Sequence, residues 1–339
     1  MTKPAGPPPQ VGIVGAGAIG RGWAALCAST GWACSLFDTD PHATDHAVGE
    51  IERRARALAH LGRARPEVVE RGLRGLRMGR SLLQACGDAD WIIESVAEDL
   101  RIKQRVFENL SQVARSEAVI TSSSSGLPVT EIAARCRDQH RCLVAHPLNP
   151  PELIPLVEVV PGKFTAPDAA ERVRLWLRAL GRIPITLKAE LPGNAVGRIA
   201  AAVWRECIDL VLAGAIDVDD IDRAVSLGPS LGWAAAGPHL TYHLGAGDQG
   251  VKQFLERLLQ SFEAWWTSLA QWTRLEPAQV QALTLEIERA YGDKLDTIRA
   301  ARDRRLAAIL NALERARRSS GAPAPSPPPA PPTAPGSGA

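Results

Sequence analysis

The sequence predicts an α/β fold: a Rossmann-type, mostly parallel sheet domain followed by an all-helical C-terminal domain. Three observations carry that expectation. Short apolar segments alternate with helical patterns through the first half of the chain. The first of these segments runs into a glycine fingerprint that opens a helix. After "RIPITLKAELPGN" (Arg182–Asn194) the strand signals stop. Strands this apolar need cover on both faces of their sheet, which helices between parallel strands provide.

In chain order, "MTKPAGPPPQ" (residues 1–10) reads as a flexible leader. "VGIVGAG" is a short strand ending in glycines, "AIGRGWAALCASTG" a helix closed by Gly31, and "ACSLFD" the second strand. "ADWIIESVA", "AVITSSSS" and "RCLVAHPLNP" continue the series, and the sheet domain is expected over residues 11–192. Residues 193–318 form the helical domain, punctuated by "GAIDVDDID", "GPSLGW" and "GAGDQG". Its tryptophans (Trp204, Trp233, Trp265, Trp266, Trp272) are expected in the core or at an interface, with core packing the plainer reading. Leu306, Ile309, Leu310 and Leu313 share one helical face that packs either on the body or on a second subunit. The Pro/Ala/Ser tail over residues 319–339 has too little apolar area to fold and is expected to be disordered.

At 339 residues and 45% hydrophobic content, the chain can bury the cores of two domains. Lys plus Arg (39) nearly balances Asp plus Glu (37), so the charge balance asks for neither nucleic acid nor a membrane as partner. The arginine-rich run Arg53–Arg77 is either a solvated helical face or an anion-binding surface for a phosphorylated or CoA-bearing substrate. No apolar run approaches the roughly 18 residues of a membrane span. The six cysteines form no CxxC pair and follow no secretory segment, which fits reduced thiols in a cytoplasmic protein. Cys136, His140, Cys142 and His146 lie close in sequence, but the segment alternates like a strand and Cys142 reads as a small core residue; no metal is expected.

"GAGAIG" supplies Gly15, Gly17 and Gly20, with Ala18 and Ile19 between them, after a strand and before a helix. In that setting the first glycine permits the turn, the second admits a pyrophosphate and the third lets the helix pack closely. Asp38 ends the second strand, where a carboxylate accepts both adenosine ribose hydroxyls and repels a 2′-phosphate, so the expected cofactor is NAD. In "VAHPLNPPELIPLVEVV" a lone histidine, His146, precedes a proline-framed turn carrying Asn149, and Glu158 is the only charge in the returning strand. A carboxylate buried there needs a partner, and an imidazole is the nearest sensible one. By itself, a histidine after an apolar strand is more often a satisfied structural residue than a catalyst.

These motifs resemble the 3-hydroxyacyl-CoA dehydrogenase superfamily over nearly the whole folded chain. "VAHPLNPPELIPLVEVVPG" and "GPSLGWAAAGP" look most like the L-gulonate 3-dehydrogenase branch, which includes the lens lambda-crystallins. The resemblance implies His146 as base toward a substrate hydroxyl, Glu158 as its orienting carboxylate and Ser125 as a holder of the reacting oxygen. It further implies that Asn149, Glu98 and Lys103 lie on the cofactor side and that the helical domain forms a homodimer. Without it, Glu98 and Lys103 would read as an exposed pair at a helix start.

Two positions depart from the family pattern. Where its members carry an asparagine in "PGFxxNR", this chain has Gly197, with Asn194 three residues earlier. Where the gulonate branch more often has an arginine, this chain has Gly232. Three functional readings follow. The first is NAD-dependent oxidation or reduction of a secondary alcohol at the 3-position of a small hydroxy acid, with Asn194, Gly197 and Gly232 on the substrate side. The second is the same chemistry on a 3-hydroxyacyl-CoA or carrier-bound group. The third is an NAD-binding protein with little or no turnover.

Overall fold

The structure is a computed structural model that describes residues 7–292 and 295–319. Most of the expected leader and tail lies outside the described residues. Gln10, at the leader's end, is already fixed: its amide donates to Asp90, and its carbonyl accepts from the amides of Asp90 and Trp91. Ser319, assigned to the tail from sequence, closes the last helix instead.

Eight strands form one sheet: β1 (Val11–Val14), β2 (Cys34–Phe37), β3 (Leu76–Met78), β4 (Trp91–Glu94), β5 (Val119–Ser122), β6 (Cys142–Pro147), β7 (Leu156–Pro161) and β8 (Ile183–Thr186). Their order is β3-β2-β1-β4-β5-β6-β7-β8, and every pairing is parallel except the antiparallel β6–β7. The order reverses between β1 and β4, which opens a crevice at the carboxyl ends of those strands.

Helices α1 (Ala18–Ser29), α2 (Pro41–His60), α3 (Pro66–Arg74), α4 (Leu82–Cys86), α5 (Leu100–Val113), α6 (Val129–Ile132) and α7 (Pro167–Ala179) cover the sheet. Side-chain caps start three of them. Asp40 accepts from His42 N ahead of Pro41 in α2, Ser81 accepts from Gln84 N at the head of α4, and Asp99 accepts from Ile102 N at the head of α5. Ile92 and Ile93, adjacent in β4, fall into different hydrophobic clusters on opposite faces, as strand alternation requires. Each fully buried aliphatic side chain of this kind contributes roughly 1.5–3 kcal/mol. Cys136 and Cys142 belong to one of these clusters.

The helical part comprises α8 (Asn194–Leu212), α9 (Val218–Leu227), α10 (Pro229–Ala236), α11 (Pro238–Leu244), α12 (Val251–Ser268), α13 (Pro277–Tyr291) and α14 (Leu295–Ser319). Its tryptophans correct the core reading: Trp204, Trp265 and Trp266 are 62%, 56% and 53% exposed, and α12 buries none of its side chains within the chain. The buried indoles are Trp23, Trp32 and Trp91, all in the sheet domain.

Helix α14 packs on the body. Arg63 of the α2–α3 turn donates to Asn311 at 2.9 Å and pairs with Glu314 at 2.7 Å, while Ala307 is buried. The α2 part of the arginine-rich run is a paired helical surface: Arg53 and Arg54 share Glu50, and Arg56 lies between Glu52 and Glu70. No helix among the described residues is long and apolar enough to cross a membrane.

Candidate active site

The glycine loop leaves β1 and enters α1 at the crevice. Gly15 has φ +103°, and a Cβ there would lie 2.5 Å from the Ser95 carbonyl oxygen. A Cβ on Gly20 would lie 1.9 Å from the Gly15 carbonyl, so only glycine lets the helix start fold back on the loop. A Cβ on Gly17 would meet nothing within 4 Å. Gly17 and Ala18 are exposed, while Ile19 turns inward against the core. Open space over Gly17 at a helix N-terminus fits a pyrophosphate. Asp38 follows β2 and accepts from Ala16 N at 2.7 Å and Asp40 N at 2.9 Å. A carboxylate has about four acceptor sites, which leaves capacity for two ribose hydroxyls.

Across the crevice, Ser125 follows β5 and is exposed. Its backbone is tethered on both sides: its amide donates to Glu98 Oε1 at 3.0 Å, and its carbonyl accepts from Asn194 Nδ2 at 3.2 Å. Glu98 also accepts from the Ser124 hydroxyl at 2.6 Å and pairs with Lys103 at 3.3 Å. Partial burial would push its carboxyl up, but the Ser124 hydroxyl, Lys103 and the Ser125 amide together hold it below the usual carboxylate range. The exposed helix-start reading therefore fails for Lys103, which is 1% exposed with its ammonium 2.8 Å from Glu94. The periodicity of α5 explains the difference: Lys103 shares its inner face with Phe107 and Leu110.

His146 sits near the end of β6, directly opposite Glu158 of β7 in the antiparallel register. Its Nδ1 lies 2.8 Å from Glu158 Oε2, and the ring is nine-tenths buried. Glu158 Oε1 accepts from Ala195 N at 2.9 Å and Val196 N at 3.0 Å, in the first turn of α8. Burial opposes the charge on Glu158, but His146 and those two amides outweigh it and hold the carboxyl below its ordinary value. An ionised Glu158 can only accept, so Nδ1 carries the hydrogen and the imidazole presents Nε2 as its basic nitrogen.

The first turn of α8 thus joins the catalytic candidates, with Asn194 on Ser125 and the next two amides on the partner of His146. Asn194 is buried, with φ +48°. Gly197 directly follows Val196, and a Cβ there would meet nothing within 4 Å. It borders a groove of about 560 Å³ whose walls include Arg198, Trp204, Arg205 and Trp272. Asn149 is exposed and lines a polar pocket with Ala18 and Arg21. Gly232 is not brought to this set: it lies on α10, and its nearest neighbour is Thr241 of α11.

Glu94 escaped the sequence reading. It is fully buried at the end of β4, where it accepts from Lys103, from Val96 N and from the Ser122 hydroxyl. The signal was present, since Glu94 is the only charged residue in "WIIESV", as Glu158 is in its strand. Among the described residues, no group of three or more His, Cys, Asp or Glu converges as a metal-ligand set.

Two family models match the chain. "3-hydroxyacyl-CoA dehydrogenase, NAD binding domain" covers residues 10–190, and the C-terminal domain of the same family covers residues 193–284. An L-carnitine dehydrogenase of Nocardiopsis dassonvillei is 36% identical over 318 residues, spanning 92% of this chain and 94% of that protein. A 3-hydroxyacyl-CoA dehydrogenase of Gibberella moniliformis is 36% identical over 258 residues, 75% of this chain and 79% of that one. Among solved structures, an NAD-dependent 5-formyl-3-hydroxy-2-methylpyridine 4-carboxylic acid 5-dehydrogenase superposes with a TM-score of 0.77 at 28% identity, covering 90% of this chain and 98% of the other.

Proposed function

The chain belongs to the 3-hydroxyacyl-CoA dehydrogenase family, and from that premise we propose that it oxidises the 3-hydroxyl of a small free hydroxy acid, with L-carnitine the leading substrate. It is an NAD-dependent dehydrogenase of 3-hydroxy acids or 3-hydroxyacyl groups. The single observation that carries the mechanism is the His146–Glu158 pair, held at 2.8 Å and tied to the start of α8.

NAD supplies the hydride acceptor for the carbinol carbon. Hydride leaves that carbon only as the hydroxyl proton is removed, and His146 Nε2 takes the proton. Glu158 fixes the ring and stabilises the imidazolium that results. Ser125 holds the reacting oxygen from its tethered loop. Gly15, Gly17, Ala18, Ile19 and Gly20 would hold the phosphates of NAD and Asp38 its adenosine ribose, with Asn149 and Glu98, and Lys103 behind Glu98, on the cofactor side.

A free acid is favoured over an acyl-CoA because the arginines at the head of the basic run already have carboxylate partners: in α2, Arg53 and Arg54 on Glu50 and Arg56 on Glu52 and Glu70, and in the turn that follows, Arg63 on Glu314. The L-carnitine dehydrogenase relative directs the substrate search to carnitine ahead of L-gulonate. The six free cysteines are consistent with a cytoplasmic setting.

The test is reduction of NAD, followed by absorbance, with purified protein and L-carnitine, L-gulonate, 3-hydroxybutyrate and 3-hydroxybutyryl-CoA in parallel. Turnover on a free acid that falls about 100-fold or more in His146→Gln, with NAD binding intact, is the expected outcome. Turnover confined to the CoA ester would select the second reading, and none on any substrate the third.

A further inference from the structure

Glu94 has no place in the reaction just described, yet it is as fully buried as Glu158. It ends β4 beside the strand-order reversal and is 0% exposed. One oxygen accepts from Lys103 Nζ at 2.8 Å and Val96 N at 2.7 Å, and the other accepts from the Ser122 hydroxyl at 2.6 Å. Lys103 passes the connection outward, its ammonium lying 3.3 Å from Glu98. Glu98 then accepts from Ser124 Oγ, Ser125 N and Gly126 N. The segment from Ser122 to Gly126 is therefore gripped at its root by Glu94 directly and at its tip by Glu98, through one shared cation.

We infer that Glu94 is a positioning residue: with Lys103 it fixes Glu98, and through Glu98 it sets the place of Ser125 in the crevice. The lysine acts from within as the pivot of two carboxylates. A buried ion pair is a poor source of stability, because desolvating both charges offsets their attraction. The same pair specifies geometry well, because each oxygen and each ammonium hydrogen has a set direction. Removing only one partner would leave the other charged and buried, so a loss in a single variant would not separate positioning from folding.

The double variant Glu94→Gln/Lys103→Met leaves no buried charge unpaired and carries the test, whether or not Glu94→Gln folds alone. Melting temperature, amide exchange of residues 122–127 and steady-state kinetics are measured on the full chain. The expected result is a melting temperature close to that of the parent, exchange over 122–127 faster by about tenfold with the strands around it unchanged, and kcat lowered about tenfold with little change in KM. Unchanged exchange over 122–127 would overturn the inference, as would turnover that recovers together with the melting temperature. The kinetic consequence rests on the role given above to Ser125. Exchange does not, so a protein inactive on every substrate would refute that role while the anchoring is still decided.

Discussion

Glu158 lies 2.8 Å from His146 because the two are register partners across the sheet's one antiparallel pairing. Its other oxygen receives two amides of α8, so one carboxylate orients the candidate base and closes a helix terminus. A pH dependence follows. The folded-state carboxyl is held below its ordinary value of 4.5, so its contribution to stability is present above that value and lost as pH falls through the lower folded value. Glu158→Gln should lower the melting temperature most near neutral pH, with the gap to the parent narrowing in acid below 4.5. Thermal melts across that range decide it. A gap independent of pH would mean that the carboxylate's charge has no part in holding α8.

The carboxylates also mark how far the sequence could be read. Alternating apolar segments and the glycine loop were enough for the sheet and its crevice, because strand burial and close helix approach constrain residue type directly. A lone acid in an apolar strand pointed to Glu158 and, by the same logic, should have pointed to Glu94. What escaped was the direction of Lys103, since a lysine at a helix start is most often solvated and only the packed face of α5 turns it inward. Residue spacing puts Asn194 on the substrate side. Its bond to Ser125 O depends on a left-handed backbone at the entrance to α8, which residue spacing does not encode.

Cofactor preference rests on Asp38. The carboxylate is held at the end of β2 by two amides, and a 2′-phosphate brought against it would meet like charge. NAD should bind at least about tenfold more tightly than NADP, a difference of about 1.4 kcal/mol. Calorimetry with both nucleotides measures this, and equal affinities would remove Asp38 from the ribose site.

The exposed indoles of α8 and α12 and the open groove among α8, α9 and α13 leave large apolar side chains uncovered on the helical domain. A second copy packed on the helical domain would cover it, so we expect a homodimer of about twice 36.3 kDa. The tail should be dispensable: a chain ending at Arg318 retains nearly all of α14 with its Arg63 contacts, and should have the same dimeric mass for its length. Light scattering of both chains checks this, and a monomeric full-length protein would contradict it.

Gly197 sits one residue beyond the amide that Val196 gives to Glu158, with open space where its side chain would be. Asparagine therefore fits without a clash, and the backbone is helical, so Gly197→Asn should stabilise α8 by a few tenths of a kcal/mol, about the difference between the two residues in a helix. Its effect on turnover separates two explanations of the glycine. If a donor has been lost, restoring one should raise kcat on short 3-hydroxy acids. If the glycine widens the groove toward Trp272, the new side chain should obstruct it and lower kcat/KM on the preferred substrate about tenfold, leaving NAD affinity unchanged. We expect the fall, because Gly197 lines the groove while Asn194 already gives its amide to Ser125. A rise in kcat would instead make the missing asparagine a defect, and no change on any substrate would take Gly197 out of the substrate site.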